Sequence, residues 1–396
     1  MEEKWVHRAD LAESAINERH ARRVWGLPRT NLAVVSWPPT TRHKLFVRWH
    51  YWWQAHYLDC LVDAALRSPT PSRNRRIKAT MWGIRVRNLR AVTHNRYFDD
   101  RAWLALAMRR AGQVKRLRAP KALAALEASI IAGMDSLTGV LPWRKNEIFY
   151  NVPTNGPAAI MLARSGRVDQ AVALTDWVFD NLIADNGLVM DGVRMRMHGK
   201  EIIRDIHPYC QGVMMGACLE VAERLRAQHG VGEGGIESLE DAEKAQHALK
   251  YVVQLRDVVH AVAKDMATPT GVIDWDTGGG DGGLFKGILV RYLADVAVRL
   301  PGDSSLNKAT KKIAARLVLA SAESVWNHRL EVDGLPVFAA DWTGDARLPQ
   351  NSSVVGSSIA GAVSSSHIAE RDLSVQLSGW MLMEAAARVD AAGFKR

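Results

Sequence analysis

The sequence has few cysteines and no long apolar run, and these two features exclude several classes of protein. Three cysteines in 396 residues are too few for a disulfide scaffold. Cys210 and Cys218 would lie about 12 Å apart on one helix, too far to form a disulfide. No stretch is apolar over the length that spans a bilayer, and Met1–Arg8 lacks the apolar segment of a secretory signal. We therefore expect reduced, buried cysteines and a cytoplasmic location.

Motifs for cofactors and metals are also missing. The glycines of 278–283 spell G-x-G-x-x-G, but no parallel-sheet pattern surrounds them, and Asp281 would repel a phosphate. The spacing that follows Asp274 does not fit a calcium-binding loop, and His198 and His207 do not have the spacing of a zinc site. We expect no cofactor and no metal, and interpret the glycine loop as one that delivers Asp281 to a cleft.

Positive charge is abundant, with 52 Lys and Arg against 42 Asp and Glu and a net charge of +10. Much of the excess lies between residues 67 and 90, which separate two helical patterns. No nucleic-acid-binding module accompanies this run, and aromatic residues are not interleaved with it. We interpret it as a solvated connecting segment and expect no nucleic-acid partner.

Apolar residues recur at intervals of three and four along most of the chain, which predicts helices. Strand patterns are almost absent. The predicted helices span residues 4–25, 43–67, 95–112, 119–134, 155–165, 167–184, 208–229, 241–264, 282–300, 304–327, 355–368 and 370–392. Longer connectors are expected near 68–94, 135–154, 185–207, 265–281 and 328–354.

Twelve helices joined alternately by short and long connections predict an all-α fold. Six helical hairpins would close into a double-layered (α/α)6 toroid, with the long loops at one mouth. An open α-solenoid is the competing architecture, but the sequence has no repeat of fixed period. No linker divides the chain, so we expect residues 1–396 to form a single domain.

Asp99 and Asp100 begin one of the predicted helices. Adjacent Cα atoms lie 3.8 Å apart, so diverging side chains can place the two carboxyl groups about 5 Å apart, the separation of a retaining glycosidase. Like charges at this distance raise one pKa, which gives one acid and one nucleophile. The pair could instead serve as a cap and a helix-dipole complement. The metal-binding DDxxD motif does not fit, because position 103 is Trp.

Six segments, taken in order, resemble glycoside hydrolase family 76, the endo-α-1,6-mannanases, over about residues 45 to 390. They are Tyr51-Trp52-Trp53-Gln54-Ala55-His56 with Asp59; Tyr97-Phe98-Asp99-Asp100 with Trp103; Tyr150-Asn151 with Thr154-Asn155-Gly156-Pro157; Gly187-Leu188-Val189 with Asp191-Gly192; Gln211-Gly212-Val213-Met214; and Gly280 to Gly287. Each segment alone is weakly specific, whereas six in the right order are specific.

The resemblance implies an (α/α)6 toroid and a retaining mechanism that cleaves internal α-1,6-mannosidic bonds without a metal. Asp99 would be the nucleophile and Asp100 the general acid/base. The implied substrate-binding residues are Trp53, Gln54, His56, Asp59, Trp103, Asn155, Asp191, Tyr209, Gln211 and Asp281. Several have simpler structural interpretations, since Asn155 could cap its helix and Asp59 could pair with a neighbour.

The chain also departs from the family pattern. Most members are secreted or surface-anchored, and His207 to Gln211 replaces a run richer in Tyr and Asn, which leaves the part played by Tyr209 open. The basic segment 67–94 looks like an addition, and we hypothesise that it attracts the anionic lipid end of a lipomannan-type glycolipid at a membrane surface. The Ala- and Arg-rich composition is typical of a high-GC actinobacterium, where such mannans form envelope glycolipids.

Other functions remain open. A non-catalytic mannan-binding protein would keep the aromatic cleft, but would not need both carboxyl groups. A nucleic-acid-binding helical protein would use the positive charge and would need no cleft. An exo-acting enzyme or a transglycosylase on the same fold is not distinguished from an endo-mannanase by these residues.

Overall fold

The computed structural model describes residues 2–114, 119–228, 239–348 and 366–395. Thirteen α-helices and seven short β-strands lie within these ranges. The helices are α1 (Glu2–Arg19), α2 (Thr41–Lys44), α3 (Tyr51–Arg67), α4 (Pro71–Arg87), α5 (Phe98–Ala111), α6 (Pro120–Ile131), α7 (Val152–Arg164), α8 (Val168–Asn181), α9 (Pro208–Gln228), α10 (Leu239–Asp265), α11 (Phe285–Arg299), α12 (Ser305–Asn327) and α13 (Leu373–Ala391). The strands are β1 (Ala21–Arg22), β2 (Leu32–Ala33), β3 (Phe149–Asn151), β4 (Met190–Arg196), β5 (Gly199–Ile206), β6 (Leu330–Val332) and β7 (Leu335–Val337).

Six of the helices form a closed inner ring. In order around the ring, α3, α5, α7, α9, α11 and α13 each pack on the next, and α13 packs again on α3. The outer layer consists of α1, α4, α6, α8, α10 and α12, and α1 pairs with α13, so that the first helix completes the last hairpin. An open solenoid would lack the contact between α13 and α3. The predicted (α/α)6 toroid is therefore confirmed.

The inner helices are buried almost completely because outer helices and ring neighbours cover them. In α9, every residue from Pro208 to Ala222 is buried. Gly212 and Gly216 let α9 and α11 approach closely: a Cβ at Gly212 would lie 2.8 Å from Leu289 Cα, and one at Gly216 would lie 2.5 Å from the Tyr292 ring. Cys60, Cys210 and Cys218 are buried and unpaired in this core.

The inner helices all run in the same direction, because an outer helix returns the chain after each of them. Their N-terminal ends meet at one end of the barrel, which we call the mouth, and their C-terminal ends meet at the base. The antiparallel sheet β3-β4-β5 lies at the mouth, since β3 leads directly into α7 and β5 precedes α9. Helix N-termini carry partial positive charge, so the mouth favours negatively charged groups.

The structure corrects the prediction of a connecting segment at 68–94. Most of it is α4, which packs outside α3. The Thr70 side chain caps this helix by accepting a hydrogen bond from the backbone of Arg73, and Pro71 occupies its first turn. Ile77, Met81 and Ile84 form a narrow buried stripe. The surrounding arginines are good helix formers, and their charge hid the stripe in the sequence.

Other boundaries also differ from the predictions. The predicted helix 4–25 ends at Arg19, and 43–67 begins only at Tyr51. The predicted connector 185–207 contains the hairpin β4-β5, which the sequence interpretation missed. The predicted helix 355–368 lies almost entirely in 349–365, outside the described residues. None of the described helices is both long enough and apolar enough to cross a membrane.

Candidate active site

Asp99 and Asp100 lie side by side in the first turn of α5, at the mouth. The loop before β3 holds this helix start in place. The backbone N–H of Phe98 donates a hydrogen bond to Trp143 O at 3.0 Å, and Tyr97 pairs with Arg144 in an isolated β-bridge. The two carboxyl groups are therefore presented by a helix terminus that is braced from outside.

Asp99 accepts two well-defined hydrogen bonds. The Trp143 indole N–H donates to Oδ2 at 3.0 Å, and the backbone N–H of Asp100 donates to Oδ1 at 2.8 Å. Burial raises the pKa of Asp99 to about 7, the two hydrogen bonds lower it, and the charge of Asp281 raises it again. Both donors favour the ionised form, because a carboxylate accepts hydrogen bonds more strongly than a carboxylic acid does.

Asp100 is in a different environment. The Asn95 side-chain amide donates a hydrogen bond to its Oδ2. Burial raises the pKa of Asp100 well above its usual range, and the charges of Asp99 and Asp281 raise it further. Two carboxyl groups this close do not both ionise readily, and the larger rise in pKa falls on Asp100, which therefore holds a proton more tightly than Asp99 does. One ionised and one protonated carboxyl group is the arrangement that a nucleophile and a general acid require.

Asp281 lies in the glycine loop before α11 and contacts two tryptophans of α3. The Trp52 and Trp53 indole N–H groups both donate to its Oδ1, at 2.9 Å and 2.7 Å. The backbone of Gly280 in turn donates to Asp372 at 2.8 Å, which ties the loop to the start of α13. The structure thus brings Asp281 to the mouth, as the sequence predicted, and gives it a part in orienting the two indoles.

Asp191 and Tyr209 also lie near the pair, since the charge of Asp99 acts on both. No described residue donates a hydrogen bond to the buried carboxyl group of Asp191. Burial raises the pKa of Asp191 to about 7, and the charges of Asp205 and Asp99 add to the shift. Tyr209 stacks on Phe285 with ring centroids 4.1 Å apart. Burial also raises the pKa of Tyr209, with contributions from the charges of Asp191, Asp99 and Asp281, so these groups share one space.

His56 and Trp103 lie about one helical turn deeper in the barrel than Trp52 and Asp99, and they form its floor. Their ring centroids are 4.6 Å apart, and His56 lies 5.4 Å from the Trp52 ring. Burial, together with the charge of Arg291, lowers the pKa of His56 well below its usual range, so the imidazole is neutral. Its buried Nε2 has no hydrogen-bond partner among the described residues.

The three amide residues of the predicted site form hydrogen bonds with the backbone. Gln54, Asn155 and Gln211 are each completely buried, and each is the fourth residue of an inner helix. Each side chain clamps the backbone of one residue in the segments that connect the helices, accepting from its N–H and donating to its C=O: Ala33 for Gln54, Leu141 for Asn155 and Val189 for Gln211. Each also donates to a carbonyl just before its own helix. Their amide groups thus hold the backbone at the mouth, and the sugar contacts that the resemblance implied for them stay a prediction.

Asp59 also lies away from the pair, toward the base. Arg110 forms ion pairs with Asp59 and Asp63. Arg291 approaches the same two carboxylates at 2.7 Å and 2.8 Å. These groups line a cavity of about 1150 Å³ in the lower half of the barrel. The structure therefore places Asp59 below the carboxyl pair, in a cavity that Trp103 also lines, with its charge neutralised by two arginines.

The sequence interpretation missed three residues that act directly on the site. Trp143 and Asn95 donate to the two carboxyl groups, and Trp52 holds Asp281. Trp143 stands in a predicted connector, where only its isolation as a large aromatic residue in a polar loop gave any signal. Among the described residues, no group of three or more His, Cys, Asp and Glu side chains is placed to hold a metal ion.

Two adjacent buried carboxyl groups at the mouth of an (α/α)6 barrel are the arrangement that a glycoside hydrolase requires. The chain belongs to glycosyl hydrolase family 76, whose family model matches residues 29–372. No curated protein sequence matches the chain.

Solved structures of the family share the fold. The GH76A α-1,6-mannanase of Salegentibacter sp. HEL1_6 superimposes with a TM-score of 0.74 at 24% identity, over 97% of this chain and 99% of that one. An inactive variant of that enzyme, with two consecutive aspartates replaced by asparagine, forms a complex with α-1,6-mannotriose and gives a TM-score of 0.73 at 23% identity, over 97% and 99% of the two chains. The family 76 mannosidase Bt3792 of Bacteroides thetaiotaomicron gives 0.66 at 13% identity, over 99% and 100%.

Proposed function

We propose that the protein is a retaining endo-α-1,6-mannanase in which Asp99 is the nucleophile and Asp100 the general acid/base. The observation that carries this proposal is the unequal environment of the two carboxyl groups. Asp99 accepts hydrogen bonds from an indole and a backbone N–H, which favour its anion. Asp100 has the more strongly raised pKa, because burial and the neighbouring negative charges both disfavour its ionisation. The order of acidity thus matches the two roles.

The proposed reaction has two steps. In the first, a carboxylate oxygen of Asp99 bonds to the anomeric carbon of mannose while the bond to the departing O6 breaks, and Asp100 gives its proton to that oxygen. In the second, Asp100 removes a proton from water, the water oxygen bonds to the anomeric carbon, and the ester to Asp99 is released. The Trp143 hydrogen bond stabilises the Asp99 carboxylate whenever it is free.

Asp191 and Tyr209 are the residues we propose for contacts with sugar hydroxyl groups. The pKa of Asp191 is raised to about 7 by burial, so near neutral pH this carboxyl group exchanges readily between donor and acceptor states. The stacked Tyr209–Phe285 pair provides an aromatic wall beside it. His56, Trp53 and Trp103 would line the floor beneath the sugar.

The substrate we propose is the α-1,6-mannan backbone, including mannan linked to a lipid. A related mannanase of the same fold binds α-1,6-mannotriose, which supports the linkage. The lipid-linked form, of lipomannan type, is proposed from the basic character of α4 and its surroundings, which would bring the enzyme to a membrane surface peripherally. The cytoplasmic location stays a prediction.

Product analysis on linear α-1,6-mannan tests the activity. We expect the unmodified protein to release a ladder of manno-oligosaccharides whose reducing ends are first observed as the α-anomer by NMR. Asp99→Asn and Asp100→Asn should each lower the rate by orders of magnitude. The β-anomer as first product would contradict retention, and mannose as the sole early product would contradict endo action.

Trapping the intermediate assigns the two roles. With an aryl α-mannoside whose leaving group needs no acid, Asp100→Asn should accumulate a mannosyl ester on the peptide that contains Asp99, detected by mass spectrometry. Azide should restore turnover of this variant. Asp99→Asn serves as the matched control and should give neither the ester nor the rescue. An ester on Asp100 in the Asp99→Asn variant would reverse the assignment. If the unmodified protein and both variants bound the oligosaccharide without cleaving it, the protein would be a mannan-binding protein instead.

A further inference from the structure

The positive charge of the chain is confined to one part of it. Residues 20–98 contain 15 of the 52 lysines and arginines, but only two of the 42 acidic residues, so the rest of the chain is slightly acidic, with 37 basic against 40 acidic residues. The two acidic residues are Asp59 and Asp63, which are paired with Arg110 and Arg291 inside the barrel. Residues 20–58 and 64–98 therefore contribute no acidic side chain, and of their cations Arg67 and Arg73 pair with acidic residues of α1 and α13.

Large apolar side chains of these same two ranges are exposed. We call them the rim patch: Trp25, Leu27, Leu45, Val47 and Leu89. Their exposed fractions are 47%, 42%, 50%, 61% and 76%, so five of the twelve exposed large apolar residues among those described fall here. Single exposed apolar residues are ordinary on a protein surface, whereas a group of them within a basic surface is not.

Contacts between the segments hold the rim patch together. The Trp25 indole N–H donates to Leu45 O at 2.8 Å. The Arg87 guanidinium lies over the Trp25 and Trp49 rings, with centroid distances of 5.9 Å and 5.2 Å, and its Nε donates to Phe46 O at 2.7 Å. Phe46 is fully buried between the exposed Leu45 and Val47, so it anchors their loop to the body of the protein. The apolar side chains are thus presented by a fixed framework.

The rim patch flanks the mouth of the barrel. Trp49, which contacts Arg87, has its ring 5.5 Å from that of Tyr51, the first residue of α3. The next two residues of α3 are Trp52 and Trp53, which hold Asp281 at the site. A surface that bound the rim patch would therefore lie beside the entrance to the catalytic cleft.

We propose that the rim patch, together with the cations around it, docks the enzyme onto an anionic lipid bilayer with the catalytic mouth at the membrane surface. Apolar side chains that enter the headgroup region and cations that attract anionic lipids act together in peripheral membrane binding. Nucleic acid would use the same cations, but would gain nothing from Leu27, Val47 and Leu89, which favours the lipid. The inference rests on the proposed function in one respect: docking would give the enzyme access to a lipid-linked mannan. The docking itself requires no cleavage.

Vesicle co-sedimentation of the full chain tests this proposal. Vesicles of phosphatidylcholine alone are compared with vesicles that also contain phosphatidylglycerol, at low and high salt. We expect binding to the anionic vesicles only, and less of it at high salt because salt screens the charges. Equal binding to neutral and anionic vesicles, or no binding to either, would overturn the proposal. Salt-dependent retention on DNA without vesicle binding would replace the lipid by nucleic acid.

Two sets of variants separate the charges from the apolar side chains. Arg29→Gln, Arg42→Gln, Arg48→Gln and Arg90→Gln together should weaken binding by about three orders of magnitude at low salt. Leu45→Ser with Val47→Ser should weaken it about tenfold or more at unchanged charge. The control for the charges combines Lys121→Gln, Lys264→Gln, Lys308→Gln and Lys312→Gln. The control for the apolar side chains combines Leu249→Ser and Leu306→Ser. All six residues are exposed on outer helices. Equal effects in variants and controls would contradict the rim patch as the docking surface.

Hydrolysis of soluble α-1,6-mannan by the same proteins distinguishes this inference from the proposed function. All variants should cleave the soluble polymer at the unmodified rate, because none of the changed residues lies at the carboxyl pair. Cleavage without membrane binding would refute docking alone. Membrane binding that depends on the rim patch, without cleavage of mannan, would refute the proposed substrate alone.

Discussion

The hydrogen bond from Trp143 to Asp99 should set the acidic limit of activity. Trp143→Phe removes the donor 3.0 Å from Asp99 Oδ2 but keeps an aromatic ring against Tyr97 and Phe149. A hydrogen bond to a charged group contributes about 1.5–3 kcal/mol, and one pKa unit corresponds to about 1.4 kcal/mol. Because this bond favours the carboxylate, losing it should raise the pKa of Asp99 further, from about 7 by about one to two units.

The pH dependence of kcat/KM on soluble α-1,6-mannan measures this shift. The nucleophile must be ionised, so the acidic limb of the profile should move to higher pH by the same one to two units, and activity at pH 6 should fall about tenfold or more. Trp82→Phe, on the outer helix α4, is the matched control and should leave the profile unchanged. An acidic limb that stays in place in Trp143→Phe, or moves to lower pH, would refute the assignment of Asp99 as the ionised group.

Three further predictions concern neighbouring residues. Asp99→Asn should stabilise the fold by about 2 to 4 kcal/mol at pH 8, because a carboxyl group whose pKa is raised by burial destabilises the folded state once the pH exceeds its pKa in the unfolded chain. Thermal melts should show a smaller gain in stability at pH 5 than at pH 8. An equal gain at the two pH values would contradict burial as the cause. Asp281→Asn should lower kcat on mannan, because an amide oxygen holds the Trp52 and Trp53 indoles less strongly than a carboxylate oxygen does. The far-UV circular dichroism spectrum should stay unchanged. Unaltered kinetics would exclude a positioning role for Asp281. Gln211→Leu should lower the free energy of unfolding in urea by about 2–4 kcal/mol, because it leaves the N–H and C=O of Val189 without partners; a change below 1 kcal/mol would show that water replaces the clamp.

The inner helices of the barrel could be predicted from the sequence because most of their residues are buried and apolar. The prediction failed for α4, where five arginines outnumber the three large apolar side chains that are buried, Ile77, Met81 and Ile84. It also failed for β4 and β5, where short apolar runs around Gly199 resemble an irregular loop in a chain that is otherwise helical. The predictions relied on the spacing of buried apolar residues along the sequence. The elements with the fewest buried apolar residues were therefore the ones missed.

The site was predictable in its carboxyl groups but not in the residues that tune them. Asp99, Asp100 and Asp281 stand in distinctive segments, whereas Trp143 and Asn95 reach the pair from loops whose course no local pattern specifies. Residue spacing predicts which side chains share one face of an element. It does not predict that a separate loop brings the Trp143 indole to Asp99. The pKa difference within the pair therefore required the three-dimensional structure.

The buried amides show a regularity that the sequence contained without revealing its use. The fourth residue is an amide in four of the six inner helices: Gln54 in α3, Asn155 in α7, Gln211 in α9 and Gln376 in α13. Gln376 clamps Phe338 in the same way as the other three clamp their loops. An amide both donates and accepts, so it can hold a backbone N–H and C=O together, which neither a carboxylate nor a cation can do.

This choice of side chain also protects the chemistry at the mouth. Charged clamps at the same four positions would add buried charges close to Asp99 and Asp100, and these would shift the pKa values of the pair. With neutral clamps, the separation between the two acidities depends on burial, on the donors Trp143 and Asn95, and on the nearby Asp281 and Asp191. The loops can thus be held rigidly without disturbing the difference in pKa between the two carboxyl groups.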